Sequence, residues 1–101
     1  MATVVYGEFE WDEDKELKNR KKHGVSFEEA AIAFQDPRQL VLPDGGDDPD
    51  CFVLMGMARD MRILFVVHLE ATHERGNRYR IISARTANSR EATQYANGDA
   101  S

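Results

Sequence analysis

A single cysteine, three prolines and one tryptophan are all that this 101-residue chain holds of those residue types. With Cys51 alone, neither an intramolecular disulfide nor a multi-cysteine zinc site can form. Long apolar runs are missing as well. The longest, Ile63 to Val67, falls far short of the roughly 20 residues that span a bilayer. Met1 to Trp11 lacks the basic start and apolar stretch of a secretory signal. There is no internal repeat and no low-complexity segment. The expectation is a cytoplasmic protein that makes no use of a membrane.

What is present is ordinary in amount and uneven in placement. Hydrophobic residues reach 42%, enough for one packed core and too many for a disordered chain. At this length residues 1–101 should form one domain. The formal net charge of −5 argues against generic polyanion binding. Its distribution says more. Residues 1–58 carry six Lys/Arg against thirteen Asp/Glu, whereas residues 59–101 carry seven against five. Five arginines lie between Arg75 and Arg90 with no acid among them, and Lys18, Arg20, Lys21 and Lys22 form a second basic cluster. Local potential over about a Debye length, roughly 8 Å, decides whether phosphate is attracted. Solvated charged faces are the plainer reading of both clusters.

The pattern of elements reads β-α-α-β-β-β-β-α. Val4 to Trp11 is rich in aromatic strand formers and predicts a first strand. Asp12 is placed to cap a helix from Glu13 to His23, acidic at its start and basic at its end, with Gly24 to close it. Leu17 is that helix's only large aliphatic residue, which makes it peripheral. Ser26-Phe27-Glu28-Glu29 is a capping box opening a second helix that Asp36-Pro37 should end. Strands follow at Gln39–Leu42, Cys51–Met57, Arg62–Leu69 and Tyr79–Ala84, with turns at Arg59-Asp60 and over residues 71–77. Ile63 to Val67 is apolar at both parities, as in a central strand covered on both faces. Asn88-Ser89-Arg90-Glu91 opens a short last helix running to about Tyr95, beyond which Asn97 to Ser101 should fray. The class is α+β: an antiparallel sheet of four to five strands, two helices in the N-terminal half, one short C-terminal helix, and helices on one face.

Four stretches together resemble the BrnT family, whose fold is related to the RelE ribonuclease toxins. They are Phe9-Glu10-Trp11-Asp12 with Lys15 and Asn19; Lys22 through Ala30; Asp36-Pro37; and Arg80-Ile81-Ile82-Ser83-Ala84-Arg85 with Glu91 and Tyr95. Order and spacing match from about Glu8 to Tyr95. The resemblance implies a RelE-like toxin of a type II toxin–antitoxin pair, active in bacterial stress and cutting RNA. It further implies a hetero-oligomer with a BrnA-like antitoxin, a toxin that can dimerise when alone, and operator DNA contacted only through the antitoxin complex. The chain departs from the family at three places. Thr86 stands where a lysine is common, His68-Leu69-Glu70 where Tyr-Thr-Glu is common, and Asp50-Cys51 where Glu-Arg is common.

RNA cleavage through the 2′-hydroxyl needs a base, an acid and cations for the developing phosphorane charge, with no cofactor. The candidates for proton transfer are His23 and His68, and those for charge stabilisation are Arg80 and Arg85, because imidazole titrates near neutrality and guanidinium makes paired bonds to phosphate. Lys21, Lys22, Ser83 and Arg90 are candidate phosphate contacts. Each has a plainer alternative. His23 suits a helix C-terminus, and the arginines suit pairing with the acidic first half. Arg80 and Arg85 are an odd number apart and would take opposite faces of a regular strand. His68 and Glu70 share a face and could act as a base and its orienting carboxylate, but His68 is more simply the polar end of a half-buried strand. Met55, Met57 and Met61 form either an adaptable surface or core, and Trp11 and Phe9 serve either base stacking or core. Cys51 reads as core. No metal site is expected, since His68, Glu70, His73 and Glu74 lack a ligating spacing.

Overall fold

The computed structural model describes residues 2–73 and 76–98, apart from the side chains of residues 72–77. The expected turn over residues 71–77 is corrected, because Ala71 pairs with Arg78 and His73 with Gly76, so that strand continues to His73 and resumes at Gly76. Only residues 74–75 of it lie outside the described residues, as does most of the expected frayed end. The elements are β1 (Thr3–Tyr6), β2 (Phe9–Asp12), α1 (Glu13–His23), α2 (Phe27–Ala33), β3 (Leu40–Pro43), β4 (Cys51–Met57), β5 (Ile63–His73), β6 (Gly76–Thr86) and α3 (Ser89–Asn97). The class is α+β, as expected, with α1 and β4 at their expected limits.

Two expectations about the sheet are corrected. It has six strands in the order β1-β2-β6-β5-β4-β3, and it is mixed, because β2 runs parallel to β6 while every other pair is antiparallel. The extra strand arises where one strand was expected over Val4 to Trp11. Gly7, at φ 62°, takes the left-handed conformation that glycine adopts without steric cost, and the chain reverses into a hairpin there.

The helices are also divided between the faces rather than gathered on one. α1 and α2 cover a core of Trp11, Val25, Phe27, Leu54, Leu64, Val66 and Ile81. α3 lies over the other side, where Tyr95 packs with Val53 and Met55 and is flanked by Ile63, Phe65 and Val67. The two-sided apolarity of β5 makes this possible, since Leu64 and Val66 serve one core and Phe65 and Val67 the other. Full burial of a side chain such as Phe27 or Leu64 contributes roughly 1.5–3 kcal/mol.

Local chemistry fixes each helix in place. Asp12 caps α1 by accepting from the backbone N–H groups of Asp14 at 2.9 Å and Lys15 at 3.2 Å. Ser26 and Glu29 complete the capping box of α2. α2 ends at Ala33, earlier than Asp36-Pro37 predicts. The N–H groups of Phe34, Gln35 and Asp36 bond three residues back, to Ala31, Ile32 and Ala33, and the side chain of Asp36 braces its neighbours. Its carboxylate accepts from Arg38 N at 2.9 Å, from Met57 N at 2.8 Å and from the Tyr95 hydroxyl, tying α2, β4 and α3 together. Burial opposes ionisation of Asp36, yet these bonds hold its carboxyl below the usual range, while burial and the same carboxylate push Tyr95 up to about 12. α2 rides close on β4: a Cβ at Gly56 would stand 2.4 Å from the Ala33 carbonyl oxygen.

Candidate functional site

The site takes its shape from the edge of β6. β2 pairs with β6 only at Phe9–Tyr79 and Glu10–Arg80, so the rest of that edge has no neighbouring strand. α1 fills the gap through Asn19, which is buried. The Asn19 amide donates to the carbonyls of Ala84 at 2.7 Å and Val25 at 3.1 Å, and its oxygen accepts from Ala84 N at 3.1 Å. One side chain thus completes the hydrogen bonding a strand would have supplied. It fixes the last turns of α1 against β6.

That docking gathers a basic cavity. Lys15, Lys18, Lys22 and His23 of α1, with Asn19, Ile82 and Ser83, line a shallow recess of about 240 Å³. Positions 15, 18, 19 and 22 recur at helical spacing, which sets them on one stripe. Among the described residues none of the three lysines has an acidic partner. His23 is half-buried there. Lys21 is exposed on the same helix but outside this recess, and Arg90 is exposed in the first turn of α3.

The arginines of β6 stand on the sheet face that carries α3. Arg80 pairs with Leu69 and Arg85 with Phe65, and these β5 residues point the same way. The expectation of opposite faces is corrected by a bulge: Val67 pairs with Ser83 but His68 with Ile81, leaving Ile82 as the extra residue. An odd spacing becomes an even one in effect. Ser83 and Arg85 share a face, as their parity predicts.

These arginines are already engaged. Arg80 Nη1 lies 2.6 Å from Glu10, whose other oxygen lies 3.7 Å from Arg78 Nε. Arg85 makes two bonds to Glu91, at 2.8 and 2.9 Å, and its guanidinium stands 4.1 Å from the centre of the Phe65 ring. The Glu91 hydrogen bonds raise the Arg85 pKa, and the same bonds hold Glu91 below its usual range against burial. Glu91 also caps α3 by accepting from Asn88 N at 2.9 Å. Both counter-carboxylates escaped the sequence reading, since only the fold brings Glu10 beside Arg80.

His68 lies on the opposite face of the sheet from these arginines. It points to the α2 side, has 0% exposure, and packs against Phe34, Tyr79 and Phe52 at ring distances of 4.8, 5.9 and 6.1 Å. Its Nε2 lies 3.0 Å from Glu70. Desolvation lowers its pKa, and the Glu70 carboxylate and the Val66 carbonyl oppose that only in part. His23 and His68 therefore do not share a groove.

The remaining candidates resolve simply. Trp11 is core and Phe9 packs on Phe34 and Tyr79. Met55 is buried while Met61 is 75% exposed, so the methionines form no single surface. Burial and Asp44 push the Cys51 thiol up to about 11, which keeps it from being a thiolate nucleophile. Among the described residues no three metal-ligating side chains converge, and the side chains of His73 and Glu74 lie outside them. No described helix is long and apolar enough to cross a membrane.

Comparison with curated proteins finds no match. The family profile described as ribonuclease toxin, BrnT, of type II toxin-antitoxin system matches residues 11–91, a stretch that contains Asn19, His23, Ser83, Arg85 and Glu91. Such a toxin has an antitoxin protein as its partner. A recess of lysines and one histidine, built on the edge of β6 by α1, is thus the candidate site of a chain that belongs to the BrnT family of type II ribonuclease toxins.

Proposed function

We propose that the protein is an endoribonuclease that needs no metal, arrests translation by cutting RNA at the α1–β6 edge, and is neutralised by a BrnA-like antitoxin. The observation that carries this reading is the recess in which the half-buried His23 faces Lys15, Lys18, Lys22 and Ser83. The ribose 2′-oxygen attacks the adjacent phosphorus, the bond to the 5′-oxygen breaks, and a 2′,3′-cyclic phosphate and a free 5′-hydroxyl result. His23 moves one of the two protons involved, either from the 2′-hydroxyl or to the leaving oxygen, and solvent water carries the other. The lysines hold the phosphate oxygens and offset the added charge of the phosphorane. Arg80 and Arg85 join when phosphate displaces the carboxylates of Glu10 and Glu91, with Lys21 and Arg90 flanking the strand.

A second reading has its own support. Glu10 and Glu91 already occupy Arg78, Arg80 and Arg85, Thr86 brings no cation, and the net charge is −5. These features favour a non-catalytic module that holds the antitoxin for operon autorepression. Incubating the antitoxin-free protein with RNA in the presence of a chelator separates the two. Cyclic-phosphate ends that vanish in His23→Ala and decline in Arg85→Ala support the nuclease. Intact RNA at every salt concentration and pH supports the module.

A further inference from the structure

On the α2 side of the sheet, away from the lysine recess, lies a cavity of about 300 Å³. Its wall includes three mutually packed rings, Phe9, Phe34 and Tyr79, whose centres stand 4.9 to 5.6 Å apart. Glu8, Glu70 and Gln35 supply polar groups at its rim. Lysine, arginine and histidine are absent from its lining. Tyr79 pairs with Glu70 in the sheet, whereas Arg78 and Arg80 point to the opposite face.

Glu70 is treated unlike the other buried and half-buried glutamates. Glu10, Glu16, Glu29 and Glu91 each meet an arginine. Among the described residues Glu70 meets only His68, whose buried ring aligns it at 3.0 Å. Burial disfavours the charged imidazole, so the carboxylate is oriented without being neutralised. A second acceptor is available at the same wall. The Gln39 amide nitrogen is spent on the carbonyls of Phe34 and Asp36, which leaves its oxygen free to receive a bond.

Electron-rich ring faces beside oriented carboxylates attract a cation, and the planar guanidinium both stacks on rings and forks onto a carboxylate. A cavity near 300 Å³ is at the lower end for small-molecule sites, which suits one side chain better than a whole metabolite. We propose that this cavity receives an arginine side chain of the antitoxin, its guanidinium stacked on Phe9 or Tyr79 and bonded to Glu70. This rests on the toxin having a protein partner, not on how it cuts RNA. Inhibition would then be anchored on the face of the sheet opposite the arginines, and antitoxin and RNA need not contest the same residues at this point.

The test uses two probes on the isotope-labelled protein, followed by NMR. N-acetyl-arginine methylamide should shift the amide signals of Phe9, Phe34, Gln35 and Tyr79 in a saturable way. The citrulline counterpart, equal in shape but neutral, should bind about fivefold more weakly. Glu70→Gln should abolish that preference, and Glu8→Gln, at an exposed position, should reduce it with no effect on folding. Equal binding of both probes, or shifts centred elsewhere, overturns the cavity as a cation site. The cognate antitoxin decides the occupant. Its affinity should fall about tenfold with Glu70→Gln, and no further when the responsible antitoxin arginine is also replaced. An arginine probe that binds while antitoxin affinity is unmoved by Glu70→Gln overturns the antitoxin as the source. RNA digestion by the free toxin is read separately, so loss of either reading leaves the other distinguishable.

Discussion

His23 and His68 are the same side chain in two opposite settings. His23 closes a helix at the sheet edge, half-buried, among cations that lack partners within the described residues. His68 sits midway along the central part of the sheet with 0% exposure, enclosed by Phe34, Phe52 and Tyr79 and holding Glu70. The first can meet a polyanion and the second cannot without unfolding part of the α2 layer. Chemistry at an imidazole depends on access as much as on proton affinity. The contrast also shows how so acidic a chain can offer phosphate a landing place: Glu10, Glu16, Glu29, Asp60 and Glu91 are set against arginines, and among the described residues the lysines of the recess meet no carboxylate.

Replacing each histidine should break the comparison cleanly. His23→Ala is expected to lower RNA cleavage by about 100- to 10,000-fold, the usual contribution of a proton-transfer group, with the melting temperature unchanged. Single-turnover cleavage and calorimetry check it, and a folding defect in this variant would erase the distinction. His68→Ala should do the reverse, costing about 3 kcal/mol because a ring is removed from a closed aromatic cluster. Denaturant unfolding measures this, and a cost near zero would mean that the cluster collapses freely.

Asn19→Ala sharpens the comparison at the edge. It strands the Ala84 N–H and carbonyl and the Val25 carbonyl, and should destabilise by about 2–3 kcal/mol. Hydrogen exchange at Ala84 should speed up with it, and RNA binding should weaken because Lys22 and His23 lose their station over Ser83. Exchange at Ala84 that stays slow would refute the bracing role.

Acid should distinguish the buried site by a smaller effect. Above the ordinary imidazole value of 6.5, His68 is neutral folded and unfolded, and it adds no pH dependence. As pH falls through that value the unfolded chain takes up a proton that the folded protein resists, so stability drops. His68→Phe should therefore flatten the decline in melting temperature between about pH 7 and pH 5. Asp36 and Glu91, held low when folded, lose their contribution only at more acid pH. A decline of equal slope in both proteins would place the linkage elsewhere. Least of all, Lys18→Ala and Lys22→Ala should each reduce the salt dependence of RNA binding by roughly 0.7 in the log–log slope. A salt titration reads it directly, and an unchanged slope would move the phosphate path off α1.

Legibility followed the range of the interactions. α1 could be read residue by residue, because Asp12, the charge gradient and Gly24 act within a few positions of one another. The capping boxes at Ser26 and Asn88 were equally local. The hairpin at Gly7 was missed, since one glycine among strand formers does not announce that the chain reverses. In the site, Lys22, His23 and Ser83 were named from the sequence and do line one recess. Lys15 and Lys18 carried a signal in their helical spacing. The pairing of His68 with Glu70 followed from strand parity, whereas the burial of that pair did not.

Sequence alone settled the limits of α1 and the starts of α2 and α3, the α+β class, the two-sided apolarity of β5 and the family resemblance, because caps, periodicity and ordered motifs are written in neighbouring residues. Tertiary structure alone decided which face each arginine takes, since a single bulge at Ile82 reverses the parity beyond it. It alone decided that Glu10 and Glu91 would cover the arginines and that Asn19 would stand in for a strand. Glu10 and Arg80 lie 70 positions apart and Asn19 and Ala84 lie 65 apart. Contacts of that reach exist only once the sheet has closed around them.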